Sequence, residues 1–240
     1  MIPAAHARAV EDLLPLIEEH RLAVSGQTAA GIYGLTARDT SDLLELSAID
    51  AVHQAALPRL KGDLERSLVR RHQDAHVGGD SRPAQRGTVD VWRVDQVLCA
   101  VVMRHDDQRP ELSLEVGVRG LPGGLADVRR APITPGGGRV ATVDQVVAAR
   151  QVVARWVAAP EDLASVFDLG LATHRVGAEL ALNDLPVTRS AELALSIERA
   201  RTLLDDGLVR AEFVPRARHG LAEAHEHVLT RCRTNMSRSR

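Results

Sequence analysis

Aromatic side chains make up only 2% of the 240 residues, and a single one of the thirty basic residues, Lys61, is a lysine. A core short of rings must be filled by Leu, Val, Ala and Ile. A surface short of rings is poorly equipped to stack exposed bases. Cysteine is as sparse: Cys99 and Cys232 make neither a disulfide framework nor a metal set, and Cys99 reads as a small core residue within VLCAVVM. No apolar run reaches membrane-spanning length. The opening residues, MIPAAHARAVEDLL, lack the basic and apolar regions of a signal peptide. These absences lead to the expectation of a cytoplasmic, bacterial protein with no membrane partner, its arginine bias reflecting a GC-rich genome. A formal net charge of −2 gives no overall attraction to nucleic acid, so any such contact requires a local basic patch.

Hydrophobic residues at 45% and charged residues at 26% are ordinary for a globular chain, and the length suits one generous domain or a core with an appendage. Helical spacing of Ala9, Leu13, Leu14 and Ile17 predicts a helix over 5–20, and LAVS at 22–25 reads as a short buried strand. GQTAAGIYG then reads as a tight turn into a helix opening at Gly26. TSDLLEL is strand-like, Ile49 to His72 is helical in pattern, and HQDAHVGGDSRPAQRG is a polar loop. Three strand-length runs follow, TVDVWRV, QVLCAVVMR and ELSLEVGVR, and strands are expected over 22–25, 42–46 and 111–118 in one mixed sheet. The triple glycine of TPGGGRVATVD is read as a hairpin or loop, since no Gly-Lys-Ser/Thr follows it. Beyond Asp144 the patterns are helical: VDQVVAARQVVARWV, then PEDLASVFDLGLATHR with proline at the helix start, then SAELALSIERARTLLDDG ending at a glycine. RARHGLAEAHEHVLTRCR is a last helix before a frayed TNMSRSR. The expected fold is α/β of the α+β kind: a mixed-sheet core flanked by helices over 1–142 and an α-helical region over 143–240.

One constellation carries chemistry. A strand, a glycine turn, a helix and a second strand bearing an acid can hold a nucleotide, because free amides at the helix start grip phosphate oxygens. An acid on the next strand suits Mg²⁺, which takes one or two carboxylates together with substrate phosphates. A further acid on a neighbouring strand would complete a two-metal clamp. Asp42 and Glu115 stand at such positions, Glu115 being an acid opposite in phase to Leu114 and Val116. Strand alternation puts Thr40, Asp42 and Leu44 on one face and turns Glu45 away, unless a β-bulge shifts the register. His219, His225 and His227 in HGLAEAHEHV do not share a helical face as a zinc set would, and a surface helix is expected there.

The stretch VSGQTAAGIYGLTARDTSDLLEL resembles the opening motif of the AbiEii-type nucleotidyltransferases, the toxin halves of abortive-infection and toxin–antitoxin systems. It keeps Gly26, Ala29, Gly34, Arg38, Thr40 and Asp42 and departs at Ser25, Tyr33 and Leu44, the last replacing a carboxylate. LSLEVGVR resembles the strand with the third acid, and the run from Val140 to Ala172 resembles the later elements. There Arg150 replaces a lysine, Asp162 matches an aspartate and Ser165 replaces a second one. The similarity spans roughly residues 10 to 175. It implies a nucleotidyltransferase-like core that transfers a nucleoside monophosphate from an NTP to an RNA end or a protein hydroxyl. Candidate partners are the NTP, tRNA or another RNA, and a cognate antitoxin. The implied catalytic set is Asp42, Glu115 and Arg150, with Asp42 and Glu115 holding a weakly bound Mg²⁺ or Mn²⁺. Ser25, Gly26, Arg38, Thr40 and Asp162 would contact nucleotide. Departures at Leu44, Arg150 and Ser165 imply a degenerate metal site and reduced activity. The alternative is a catalytically inactive relative that binds nucleotide, RNA or protein.

Overall fold

The computed structural model describes residues 10, 14–36, 45–48, 76–78, 88–94, 97–106, 109–113, 117–120, 128–132 and 138–238. They form an α+β protein that separates into two compact units, one of residues 1–32 with 40–144 and one of 33–39 with 145–240.

In the first unit, residues 14–19 are helical (α1), burying Leu16 and Ile17. Strand β1, Leu22–Val24, is wholly buried and leads into helix α2, Gly26–Tyr33. Gly34, at φ 68, follows α2 immediately, in a left-handed conformation suited to a residue without Cβ at a helix end. The remaining strands are β2 (Glu45–Ala48), β3 (His76–Gly78), β4 (Thr88–Val94), β5 (Val97–Asp106), β6 (Arg109–Ser113), β7 (Gly117–Gly120), β8 (Val128–Pro132) and β9 (Arg139–Val143). They build two sheets, β7-β2-β1-β9-β8 and β3-β4-β5-β6. In the first, β2 runs antiparallel to β1 and parallel to β7, while β9 lies parallel to β1. On either side of the triple-glycine stretch, β8 and β9 pair antiparallel, as expected for a hairpin.

Within the run expected as one strand over 111–118, the described residues pair in two sheets, and 114–116 lie outside the described residues. β6 ends at Ser113 in an antiparallel pair with β5, and β7 begins at Gly117 in a parallel pair with β2. The polar stretch after His72 also contains a strand, β3, whose backbone pairs with β4 although its sequence has no alternation. The helix expected over 49–72 lies outside the described residues.

The second unit is helical. Helix α3, Gln145–Ala158, buries Ala148, Ala149, Val152, Val153 and Trp156, the stripe its periodicity predicts. It is followed by α4 (Leu163–Val176), the short α5 (Ala178–Ala181), α6 (Ser190–Leu203) and α7 (Val214–Arg238). α4 and α7 pack most extensively, because both present glycine where they cross. A Cβ on Gly220 would overlap the Gly170 carbonyl oxygen and lie 2.7 Å from the His174 nitrogen. A Cβ on Gly170 would lie 2.8 Å from the Ala217 carbonyl oxygen. Arg231 braces the next corner, donating to the carbonyl oxygens of Leu182 and Leu185 at 2.9 Å each.

Three helix boundaries differ from the pattern-based expectation. Pro160 does not open α4; Asp162 does, because its carboxylate can accept from backbone N–H groups and a proline cannot. α6 stops at Leu203, four residues before the expected glycine, with Gly207 at φ 75 closing the turn behind it. The tail expected to fray is helical to Arg238. It contains neither Gly nor Pro, and the hydroxyls of Thr234 and Ser237 donate to the carbonyls of Thr230 and Thr234.

Candidate functional site

The β1–α2 turn is the part of the expected site that the structure describes most fully. Ser25 donates its backbone N–H to the Glu45 carbonyl at 2.9 Å, extending the β1–β2 ladder one residue beyond Val24. Its own carbonyl accepts from the Ala29 N–H at 3.0 Å, so Ser25 is where strand becomes helix. Gly26 follows at φ 55, in the left-handed region that a side chain disfavours. α2 has no acid in its first turn, which leaves its free amides and the positive end of its dipole to be met from outside.

Glu45 meets them. Its carboxylate accepts the Gln27 N–H, and its backbone N–H donates to the Thr28 hydroxyl at 3.3 Å. The space a Cβ would take at Gly26 is filled by the Glu45 carboxylate, so this glycine is required by contact as well as by backbone conformation. No bulge is needed for this contact. The pairing of Leu22, Ala23 and Val24 with Ala48, Ser47 and Leu46 is unbroken. Leu46 is buried, and alternation sends Glu45 to the other side, where α2 starts. The partner sequence reasoning missed is therefore an acid within an apolar run, LLEL. The signal that could have found it is a nearby helix whose first turn has no acid of its own.

Elsewhere, the helical unit holds two of the expected residues. Arg150 lies on α3 and donates through Nε to the Leu180 carbonyl at 3.2 Å, with Asp184 at 3.6 Å. Asp162 is the N-cap of α4: Oδ1 accepts the Ala164 N–H at 3.1 Å and Oδ2 accepts the Ser165 hydroxyl at 2.7 Å. Ser165, which stands where the resemblance expects a carboxylate, is 1% exposed and completes this cap. Arg38, Thr40, Asp42, Leu44 and Glu115 lie outside the described residues. Ser25 and Gly26 thus share one turn with Glu45, whereas Arg150 and Asp162 are tied to backbone and side chains of the helical unit.

Among the described residues no three His, Cys, Asp or Glu side chains are grouped to hold a metal ion. No described helix is long and apolar enough to cross a membrane. His174 and His219, on α4 and α7, stack edge to face with ring centroids 5.3 Å apart. Desolvation, then the neighbouring His219 and the Arg216 guanidinium, hold the His174 pKa below its usual 6.5. No protein-family model matches this chain, and neither the curated proteins nor the solved structures contain a significant match to it.

Proposed function

We propose that the chain is a nucleotidyltransferase-type protein of the AbiEii kind that binds an NTP and transfers its nucleoside monophosphate slowly to an RNA or protein acceptor. One observation supports this most: β2 and β7 are parallel neighbours, with Glu45 opposite Gly117. In the sequence Asp42 precedes β2 by three residues and Glu115 precedes β7 by two. Two acids leading into adjacent parallel strands, beside a strand–glycine–helix turn, suit a nucleotide with its divalent cation.

The donor chemistry fits Mg²⁺ or Mn²⁺, since Asp42 and Glu115 offer oxygen ligands and substrate phosphates supply others. When bound, such an ion would neutralise phosphate charge. In this reading the residues Ser25 to Thr28 orient the nucleotide at the start of α2. Glu115 accepts the proton of the attacking hydroxyl. Arg150, which the resemblance implies for the triphosphate, donates to the Leu180 carbonyl oxygen at 3.2 Å and lies 3.6 Å from Asp184 within the helical unit. Arg38 and Thr40 contact the nucleotide beside Asp42. Asp162 keeps its cap and acts by holding the start of α4.

A second reading, a non-catalytic module that binds nucleotide, RNA or protein, is favoured by the occupancy of the α2 start. The Gln27 amide already serves the Glu45 carboxylate, so an incoming phosphate must displace a built-in anion. Leu44 further removes a carboxylate from the acid pair. Calorimetry with a non-hydrolysable NTP and Mn²⁺ separates these from an unrelated fold. The expected result is metal-dependent binding lost in Asp42→Asn. Equal nucleotide binding by both proteins would remove Asp42 from the site. Labelled-nucleotide transfer to bulk RNA then divides the two readings: slow, Asp42-dependent labelling supports the enzyme, and binding without labelling supports the module.

A further inference from the structure

The α4–α7 crossing brings together two histidines that have no part in the nucleotide reading. His174 in the last turn of α4 and His219 in α7 meet with ring centroids 5.3 Å apart and planes at 87°. Both residues are exposed, and among the described residues neither ring makes a hydrogen bond or an ion pair. Their main-chain positions are fixed by the closest contact between the two helices. Gly220, next to His219, packs so tightly on α4 that a Cβ there would lie 2.7 Å from the His174 nitrogen. The backbone thus keeps the two side chains together, while exposure leaves their rings free to turn.

Two imidazoles that share one divalent ion need a particular spacing. With metal–nitrogen bonds of about 2.0–2.1 Å and a near-tetrahedral angle, their centroids fall about 5 Å apart. The observed separation matches, so the pair can chelate by turning its rings, with neither helix displaced. An imidazole ligates in its neutral form, and the lowered pKa of His174 keeps its ring neutral at pH 7. Glu223 lies one turn beyond His219, but its Oε1 accepts the Ala178 N–H at 2.8 Å, so it is a neighbour here and not a ligand. Its charge favours a cation, while the Arg216 and Arg175 guanidinium groups, which also act on His174, oppose one. Nitrogen donors must therefore supply the attraction, and imidazole suits Zn²⁺ and Cu²⁺ where Mg²⁺ prefers oxygen.

We propose that His174 and His219 form a two-imidazole site for a divalent ion of the Zn²⁺ and Cu²⁺ class, which clips the end of α4 to α7. No third His, Cys, Asp or Glu is grouped with the pair among the described residues, so water completes the coordination. The partner of His219 comes from another helix, which is why α7 read alone shows no metal pattern. The site stands independently of the nucleotide reading, whose cation takes oxygen ligands from the other unit.

Calorimetry with Zn²⁺ on the full chain, with excess Mg²⁺ to occupy oxygen-ligand sites, tests this beside His174→Gln, His219→Gln and a control on α7, His227→Gln. The natural chain should bind Zn²⁺, and each of the first two substitutions should weaken binding roughly tenfold or more, since loss of even a supporting group costs a metal site that much. His227→Gln should bind as the natural chain does. Zn²⁺ should also raise the urea midpoint of the natural chain and of the control but not of the other two, because an ion held only by the folded state stabilises it. Metal-free midpoints check that every variant folds. Electron paramagnetic resonance of bound Cu²⁺ gives an independent reading, with two nitrogen ligands expected in the natural chain and one in His174→Gln or His219→Gln. Zn²⁺ affinity unchanged by those two substitutions would mean an adventitious ion only and overturns the proposal. No Zn²⁺ binding, or a single nitrogen on Cu²⁺ in the natural chain, overturns it as well and leaves the pair an aromatic contact.

Discussion

Gly26 and Gly220 sit in different units, and each lacks a Cβ because something else occupies its place. At Gly220 the occupant is the backbone of a crossing helix, the Gly170 carbonyl oxygen and the His174 nitrogen. At Gly26 it is the carboxylate at the end of the flexible Glu45 side chain. Backbone held by two long helices cannot step aside, whereas a glutamate can rotate away. Gly220 therefore serves packing alone. Gly26 marks a contact that could open, and it is the one at the candidate site.

Gly220→Ala breaks this comparison from the rigid side and should have the largest effect. Overpacking a well-filled core costs about 1–3 kcal/mol, and here the clash is with main chain on both sides, so the upper end is expected. A large fall in the urea midpoint of the helical unit would show it. Retention of the wild-type midpoint would mean that α4 and α7 separate more easily than their contact implies.

Ser165→Asp comes next. The resemblance makes Ser165 a lost carboxylate, so restoring it looks like a repair. The structure predicts damage, because Ser165 is buried and donates to Asp162 at 2.7 Å. A second acid there would crowd like charges and remove a donor, costing about 2–3 kcal/mol unless one carboxyl stays protonated. The loss should shrink as pH falls toward the protonation of the new pair. A revertant as stable as the natural chain at pH 7 would reopen Asp162 as a nucleotide contact.

Gly26→Ala tests the softer contact. A left-handed conformation costs a non-glycine residue about 1–2 kcal/mol, and moving the Glu45 carboxylate adds a smaller loss. The informative measurement is a double-mutant cycle with Glu45→Ala. With the carboxylate gone, Gly26→Ala should cost only its backbone strain, leaving a coupling of about 0.5–1 kcal/mol. Strict additivity would deny that the two residues compete for one space.

Much of the helical unit was legible in the sequence, and the candidate site only in part. The stripe from Ala148 to Trp156 repeats at helical spacing, so α3 could be read directly. The start of α2 was readable from small residues around Gly26. What could not be read were relations set by partners distant in the chain. Glu45 turns toward α2 because that helix lacks an acid, which is a tertiary fact. ELSLEVGVR alternates as if it were one strand, yet its two ends pair with β5 and β2 in separate sheets. Ser165 reads as a lesion beside a family pattern and as a cap beside Asp162. Local pattern cannot choose between those, because both need a small polar residue three positions after an acid.

The smallest effect expected concerns His174, beside the rigid glycine contact. Its ring faces His219, Arg216 and Glu223 from α7 and Arg175 from its own helix, and its amide nitrogen lies against Gly220. Burial, His219 and the Arg216 and Arg175 guanidinium groups lower its pKa, while Glu223 opposes them. The unfolded chain would bind a proton at the usual value near 6.5. Protonation therefore favours the unfolded state: the contribution of His174 to stability is full above about pH 6.5 and declines as pH falls toward and through its lowered value. The ring is largely exposed, so only a modest drop in the urea midpoint is expected between pH 7 and pH 5. His174→Gln should flatten that part of the profile while leaving the pH 7 midpoint nearly unchanged. Comparison with His219→Gln then isolates the pair, because removing the partner relieves part of the depression and should leave a weaker slope. An identical slope in all three proteins would assign the acid sensitivity to other histidines and leave the α4–α7 crossing indifferent to pH.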